Sequence, residues 1–175
     1  MILTGSEIKK RLGTDIIISH FDDKRLNPNS YNLRLGSKLK IYDTALLDAK
    51  IHNEVYEIEI PKNGYTLDPN ELYLASTLEH TETYNLVPKI DGRSSIGRLG
   101  LSIHITAGFG DIGFKGKWTL EMYCIKPIRI YPFMEICQIS YYLPFGEITN
   151  YNGRYQNQKE IQESKYYIGE QKNEN

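Results

Sequence analysis

Apolar and polar residues alternate with a period of two through much of the chain. The pattern runs through Asn32-Leu33-Arg34-Leu35, Lys38-Leu39-Lys40-Ile41, Val55-Tyr56-Glu57-Ile58-Glu59-Ile60 and Leu72-Tyr73-Leu74-Ala75. It resumes from Trp118 to Tyr123 and from Ile136 to Tyr142. Successive side chains of an extended chain point to opposite faces, so each segment predicts a strand with one buried face. Turn-forming clusters punctuate them, Asn27-Pro28-Asn29-Ser30 in one place and Asp68-Pro69-Asn70 in another. Helical spacing occurs at the N-terminus. Thr4-Gly5-Ser6-Glu7 fits a capping box, Ile8 and Leu12 share a face, and Gly13 ends the helix. Many short strands with this punctuation predict an all-β barrel or sandwich with one short N-terminal helix and no internal repeat.

The alternation stops at Glu147. Asn, Gln, Lys, Glu and Tyr dominate from there, which predicts a polar segment over 147–175 that frays from Glu170 to Asn175. A chain of 175 residues is expected to form a single domain, 1–175, with a sizeable core. Its 21 Lys+Arg against 22 Asp+Glu leave a formal net charge of −1, so no global field recruits nucleic acid or an anionic membrane. No apolar run approaches the ~20 residues of a membrane-spanning helix. Met1-Ile2-Leu3-Thr4 leads straight into the amphipathic segment without a charged leader or cleavage site, and the cytoplasm is the expected compartment.

Cys124 and Cys137 lie on strand-like segments and are read as reduced core thiols. Zinc-dependent deaminases of nucleobases pair H-x-E with P-C-x-x-C. His80-Thr81-Glu82 supplies the first half, but neither cysteine has a second one three positions away. His20, His52, His80 and His104 offer no ligand spacing either. No zinc site is expected, and His80 reads as a surface or hairpin residue.

The densest chemistry lies between Asp91 and Tyr123. Arg93, Ser94, Ser95 and Arg98 cluster there, with Gly92 and Gly97 allowing close backbone approach. Guanidinium forks, hydroxyls and free amides are the usual donors to phosphate oxygens. Two carboxylates follow, Asp111 in a Gly-rich bend and Glu121 in an apolar strand. By alternation Glu121 shares a face with Thr119 and Tyr123, opposite Trp118, Leu120 and Met122. A lone acid among such neighbours is costly to bury without a partner or a task. An anion cradle followed by an isolated acid points to a nucleotide enzyme.

The blocks Gly92-Arg93-Ser94-Ser95, Thr106-Ala107-Gly108-Phe109 with Asp111, and Thr119-Leu120-Glu121 resemble the dCTP deaminase family of the deoxyuridine triphosphatase-like superfamily. The resemblance extends to Ser30–Gly36 and to Gly153–Gln158, covering about residues 1 to 168. It implies a distorted β-barrel or jelly-roll-like core. Ser94 and Arg98 would flank the reacting water and base, Arg93 and Ser95 would bind triphosphate, and Ile96 and Gly97 belong to the same loop. The Ala107 carbonyl would help hold the water, Asp111 would contact the sugar, and backbone at Thr119 and Leu120 would read the pyrimidine. Gln138, Tyr151, Arg154 and Gln158 match positions that touch phosphates or close a lid, which makes 151–158 a lid with little order when empty.

Cytosine deamination adds water at C4, and bulk water with a pKa near 15.7 is a poor nucleophile. Without zinc a carboxylate must move the protons, and Glu121 is the candidate. The implied activity is dCTP deamination to dUTP and ammonia; next stands a bifunctional enzyme that also hydrolyses dUTP to dUMP and pyrophosphate, which Thr106–Phe109 resembles. A plain deoxyuridine triphosphatase would carry a Gly-rich, Phe-containing C-terminal motif that is absent, and a non-enzymatic nucleotide-binding regulator would have no need of Glu121. The resemblance further implies ligands of the dCTP, dUTP and dTTP type and a homotrimer with pockets between subunits. Mg²⁺ is expected to ride on the triphosphate. Two departures stand out. Ile112 replaces the usual proline of the bend, which predicts a looser loop, and Arg154 stands where lysine is more frequent.

Overall fold

A computed structural model describes residues 1–170. In chain order the elements are α1 (Gly5–Lys10), β1 (Ile16–Ile18), a 3-10 turn (Asp23–Arg25), β2 (Tyr31–Tyr42), β3 (Val55–Glu59), β4 (Tyr65–Leu67), β5 (Tyr73–Thr77) and β6 (Thr81–Thr83). Then come β7 (Val87–Gly92), α2 (Ser94–Gly97), β8 (Leu101–Ser102), β9 (Lys115–Gly116), β10 (Thr119–Cys124), β11 (Ile128–Ile130), β12 (Glu135–Tyr142) and α3 (Tyr167–Glu170). The protein is all-β in character, as its alternation predicts. The largest sheet has seven strands in the order β7-β12-β2-β5-β10-β8, with β3 also paired to β2. A three-stranded sheet, β1-β6-β9, and the pair β11-β4 complete a nearly closed, barrel-like wall.

Strand β2 is the spine. It merges the two segments expected at Asn32–Leu35 and Lys38–Ile41, because a register shift against β5 between Leu35 and Leu39 absorbs the break in alternation. Gly36 sits at that break, where a Cβ would meet the Ser76 hydroxyl at 3.0 Å. The first half of β2 pairs with β12 and the second half with β3 and β5, which bends the sheet around a single core cluster. Tyr31, Leu33, Leu35 and Leu39 fill that core together with Leu120, Met122 and Ile139. Both cysteines are free and buried in the same core, and burial pushes both thiols up from their ordinary range.

Three local expectations need correction. Helix α1 is capped by Thr4 but ends at Lys10, before Gly13; Leu12 leaves it to bridge Ile16, and Gly13 at φ +80° turns the chain into β1. Glu7 does not reach back to complete a capping box; its carboxylate pairs with Arg11 at 3.1 Å. Strand β10 starts at Thr119, since Trp118 turns into the core and donates its indole N–H to Thr81 Oγ1 at 2.9 Å. His80 is half-exposed ahead of β6 and meets Glu82 at 3.1 Å.

One feature had no signal in the sequence. Glu79 is fully buried, and its carboxylate accepts from Arg34 Nε at 2.7 Å and from the Arg34 backbone N–H at 2.8 Å. No helix among the described residues is long and apolar enough to cross a membrane.

The polar C-terminal segment lies against the barrel. Tyr151 N–H donates to the Ile112 carbonyl at 2.7 Å, Asn157 N–H to Lys115 at 2.8 Å, and Lys117 N–H to Gln158 at 3.0 Å. Gly116, at φ +150°, leaves room for the Gln158 backbone, whose oxygen would lie 2.8 Å from a Cβ there. Ile161 then inserts into the barrel surface with 2% exposure. The fraying expected from Glu170 to Asn175 falls, from residue 171 on, outside the described residues.

Candidate active site

Strand β10 places Glu121 as alternation predicts. Leu120 and Met122 point into the core, and Thr119 and Glu121 point away from it. On one side Glu121 is in register with Leu74 of β5, so the two side chains share a face. On the other, the Glu121 N–H donates to the Ile103 carbonyl at 3.0 Å, and one carboxylate oxygen, Oε2, accepts the Ile105 N–H at 3.0 Å. That amide fixes the carboxylate. Among the described residues it forms no other hydrogen bond, which leaves the second oxygen for a water molecule.

The carboxylate lines a cavity of about 620 Å³, within the range of small-ligand sites. Leu72, Leu74, Tyr42, Ala107, Asp111 and Trp118 line it. The C-terminal segment is its roof. Thr119 Oγ1 accepts from Gln158 Nε2 at 3.0 Å and from the Gln162 N–H at 3.1 Å. Gln158 Nε2 also donates to the Lys117 carbonyl. Further along, Glu163 pairs with Lys40 at 3.0 Å and lies 3.8 Å from His52, while Ser164 N–H donates to Tyr42 OH at 3.1 Å. Burial alone would raise the Glu163 carboxyl, but a backbone N–H and the Lys40 ammonium outweigh it and hold it below the usual range.

Asp111 is exposed in a bend that is tied down despite Ile112 replacing proline. Gly113 N–H donates to Thr83 at 2.8 Å, and the Ile112 carbonyl accepts from Tyr151. Tyr151 tilts against Phe114, and its hydroxyl accepts the Tyr155 N–H at 3.2 Å. Arg154 does not line the cavity; it donates to the carbonyls of Lys165 and Tyr166 at 3.0 and 3.2 Å.

The Arg/Ser cluster lies elsewhere. Arg93 precedes α2, Ile96 is buried as its anchor, and Ser94, Ser95, Gly97 and Arg98 are exposed. Since the Ile96 side chain packs inward, only its backbone is available to a ligand. Arg93, Ser94, Gly97 and Gln138 line a second, shallow hollow of about 360 Å³ with His104. Gln138 is fixed there by the Ser30 hydroxyl at 2.7 Å and by the Gly92 carbonyl at 3.2 Å. Ile103 and His104 face this hollow, whereas Ile105 faces the Glu121 cavity. Within one chain, therefore, Glu121, Ala107, Asp111, Thr119, Tyr151 and Gln158 come together, and the Arg93–Arg98 loop and Gln138 do not join them. Large apolar side chains stand exposed, Phe109 at 68% in the lining of the first cavity, and Leu99 at 62% and Ile125 at 72% elsewhere on the surface.

Sequence reasoning missed Tyr42, Leu72, Leu74, Gln162 and Glu163 as cavity residues. Leu74 was discoverable only with the β5–β10 register, and Gln162 and Glu163 belong to no motif.

The chain matches the family described as dCTP deaminase-like over residues 2–143. A protein of Hathewaya histolytica named "dCTP deaminase, dUMP-forming" is 58% identical over 165 residues, covering 94% of this chain and 96% of that one. One of Cytophaga hutchinsonii with the same name is 55% identical over 168 residues, covering 95% and 97%. Among solved structures, the 2'-deoxycytidine 5'-triphosphate deaminase from Agrobacterium tumefaciens superposes with a TM-score of 0.66 at 19% identity. That match covers 82% of this chain and 48% of the other, and it shows the shared fold.

Proposed function

The chain belongs to the dCTP deaminase-like family, and on that premise we propose that it deaminates dCTP and hydrolyses the resulting dUTP to dUMP. The overall conversion is dCTP + 2 H₂O → dUMP + pyrophosphate + NH₃. The observation that carries the first step is the Glu121 carboxylate, fixed by the Ile105 N–H on the wall of a nucleotide-sized cavity. Glu121 takes a proton from water as the oxygen adds to C4, and delivers it to N3 of the ring. A second proton goes to the exocyclic nitrogen, the C4–N bond breaks, and ammonia leaves as the C4 carbonyl forms. The Ala107 carbonyl helps hold the water, Asp111 contacts the sugar, and strand backbone at Thr119 and Leu120 reads the pyrimidine. In the second step water attacks the α-phosphorus of dUTP and pyrophosphate departs.

Sequence features alone leave dUTP as the first-choice end product. The shared name of relatives at 54–58% identity supports dUMP instead. Magnesium, carried by the triphosphate, would offset its charge. The donor set fits that arrangement, since no three His, Cys, Asp or Glu side chains among the described residues gather to hold an ion.

A homotrimer completes the site on this reading. A neighbouring copy's Arg93, Ser94, Ser95 and Arg98 would meet the Glu121 cavity, with the exposed Leu99, Phe109 and Ile125 buried between copies. Light scattering that finds a fully active monomer would sink this assembly.

The test is incubation with dCTP and Mg²⁺, following ammonia and separating dUTP from dUMP and pyrophosphate. No ammonia would overturn the deaminase reading, and dUTP accumulating without dUMP would confine the enzyme to the first step.

A further inference from the structure

Arg93 is held by one residue that the function above leaves without a role. Its Nη1 forms an ion pair with Glu135 Oε2 at 2.9 Å and donates to the Glu135 carbonyl at 3.2 Å. Both contacts use the same nitrogen. Among the described residues Nε and Nη2 form no hydrogen bond, so one flat edge of the guanidinium stays available. That edge carries the paired N–H donors that fit a phosphate.

Ion pairs between flexible surface side chains are worth little, but this carboxylate is fixed from several directions. Asn32 Nδ2 donates to Oε2 at 2.9 Å, and Asn32 is itself held by Asn27 at 2.8 Å. Arg25 Nε, buried without a hydrogen-bond partner among the described residues, lies 3.6 Å from Oε1. The register of β12 against β2 shifts between Glu135 and Cys137, an irregularity of the kind that re-aims a side chain. On its other side β12 pairs Cys137 with Gly92, the residue just before Arg93. Backbone and carboxylate of Glu135 therefore grip Arg93 from the strand next to β7, which ends one residue before it.

We propose that Glu135 is a positioning residue for the triphosphate subsite, holding Arg93 by one nitrogen so that its free edge faces the phosphates. The proposal rests on the reading of Arg93 as a phosphate ligand. Glu135 touches no substrate and acts through the guanidinium. An opposite effect competes with it, because a carboxylate beside the subsite also repels phosphate. The geometry favours positioning, since the negative charge is already matched by Arg93 and Arg25.

Glu135→Gln keeps an acceptor for Asn32 and removes the charge-assisted grip. Titration calorimetry on the full-length protein should use inorganic triphosphate, dCTP and deoxycytidine, with dCTP kinetics alongside. Affinity for inorganic triphosphate and dCTP should fall about tenfold, the worth of one well-held ion pair. Deoxycytidine affinity should be unchanged, and KM for dCTP should rise while kcat stays within about twofold. Glu135→Asp, which retains the charge on a shorter arm, should lose less. Unchanged or tighter triphosphate binding by the folded Gln variant would overturn the proposal, as would an equal loss for deoxycytidine. Should the Gln variant fail to fold, the Asp variant must still show the phosphate-selective loss, and wild-type behaviour with all three ligands would refute the idea. A protein whose triphosphate affinity falls in the Gln variant as expected, but which as wild type releases no ammonia from dCTP, would sink the deaminase reading alone.

Discussion

Replacing Thr119 by Val tests whether the C-terminal segment closes the cavity through the bonds described. Valine keeps the branched shape and suits a strand, so the barrel should tolerate it. What disappears is one oxygen that accepts from Gln158 Nε2 at 3.0 Å and from the Gln162 N–H at 3.1 Å. The two losses differ in weight. Gln158 Nε2 keeps the Lys117 carbonyl and loses one bond of two. The Gln162 N–H has no second acceptor among the described residues and is left unpaired against the new methyl group. At roughly 1 kcal/mol for an ordinary bond and somewhat more for a stranded donor, the closed state should weaken by about 2 kcal/mol. That corresponds to about a 30-fold shift toward an open segment. Hydrogen exchange read by mass spectrometry on peptides within 151–165 should quicken by about that factor, while peptides from β2 and β12 stay as protected as before. Thr119→Ser, which keeps the hydroxyl, should exchange nearly as the wild type does. Equal protection of the segment in the Val variant would show that Thr119 does not hold the roof.

Glu121→Gln keeps volume and removes the proton acceptor; ammonia release from dCTP should fall at least 10²-fold with nucleotide affinity retained by calorimetry, and near-normal turnover would exclude Glu121 as the base. Glu79→Ala leaves Arg34 without its buried partner and should cost about 3–5 kcal/mol of stability, seen as a lower Tm in calorimetry; an unchanged Tm would contradict the account of that pair. The Glu163 carboxyl sits below its usual range in the folded chain, so its hold on Lys40 is complete above that range and is lost as pH falls through the lowered value. Protection of 160–165 should therefore drop in acid, and Glu163→Gln should abolish that acid-dependent step; a variant that kept it would place the titrating group elsewhere.

Local pattern carried β2, β3, β5, β10 and β12 but not β7, a six-residue strand with no alternating segment read in it. The face of Glu121 follows from Leu120 and Met122 alone, and β3, β10 and β12 fall within a residue of the alternating segments. Strands β8 and β9 have two residues each, too few for any period, and they exist because partners on β10 and β6 complete them. Nothing in the sequence beside His80 marks Glu79. Its burial depends on Arg34, which alternation on β2 would have sent to solvent. The docking of 151–165 was hidden for a related reason: its polar residues bond to carbonyls and hydroxyls of β9 and β10, and composition records polarity without recording its partners.

The motifs were legible, yet their proximity in sequence misleads about proximity in space. Arg93 to Glu121 reads as one contiguous site, with an anion cradle and an acid. The segment 103–105 runs between them, with Ile103 and His104 lining one hollow and Ile105 the other. With the base and the phosphate donors in separate hollows, two arrangements suit the chemistry. Either the donors serve a different ligand, or a second copy presents its Arg93 face to the first copy's Glu121. The large apolar side chains left exposed favour assembly, since Leu99, Phe109 and Ile125 gain little from water and much from a partner surface. On the proposed assembly the separate hollows belong to one site, and loss of the assembly should abolish deamination even with every site residue intact.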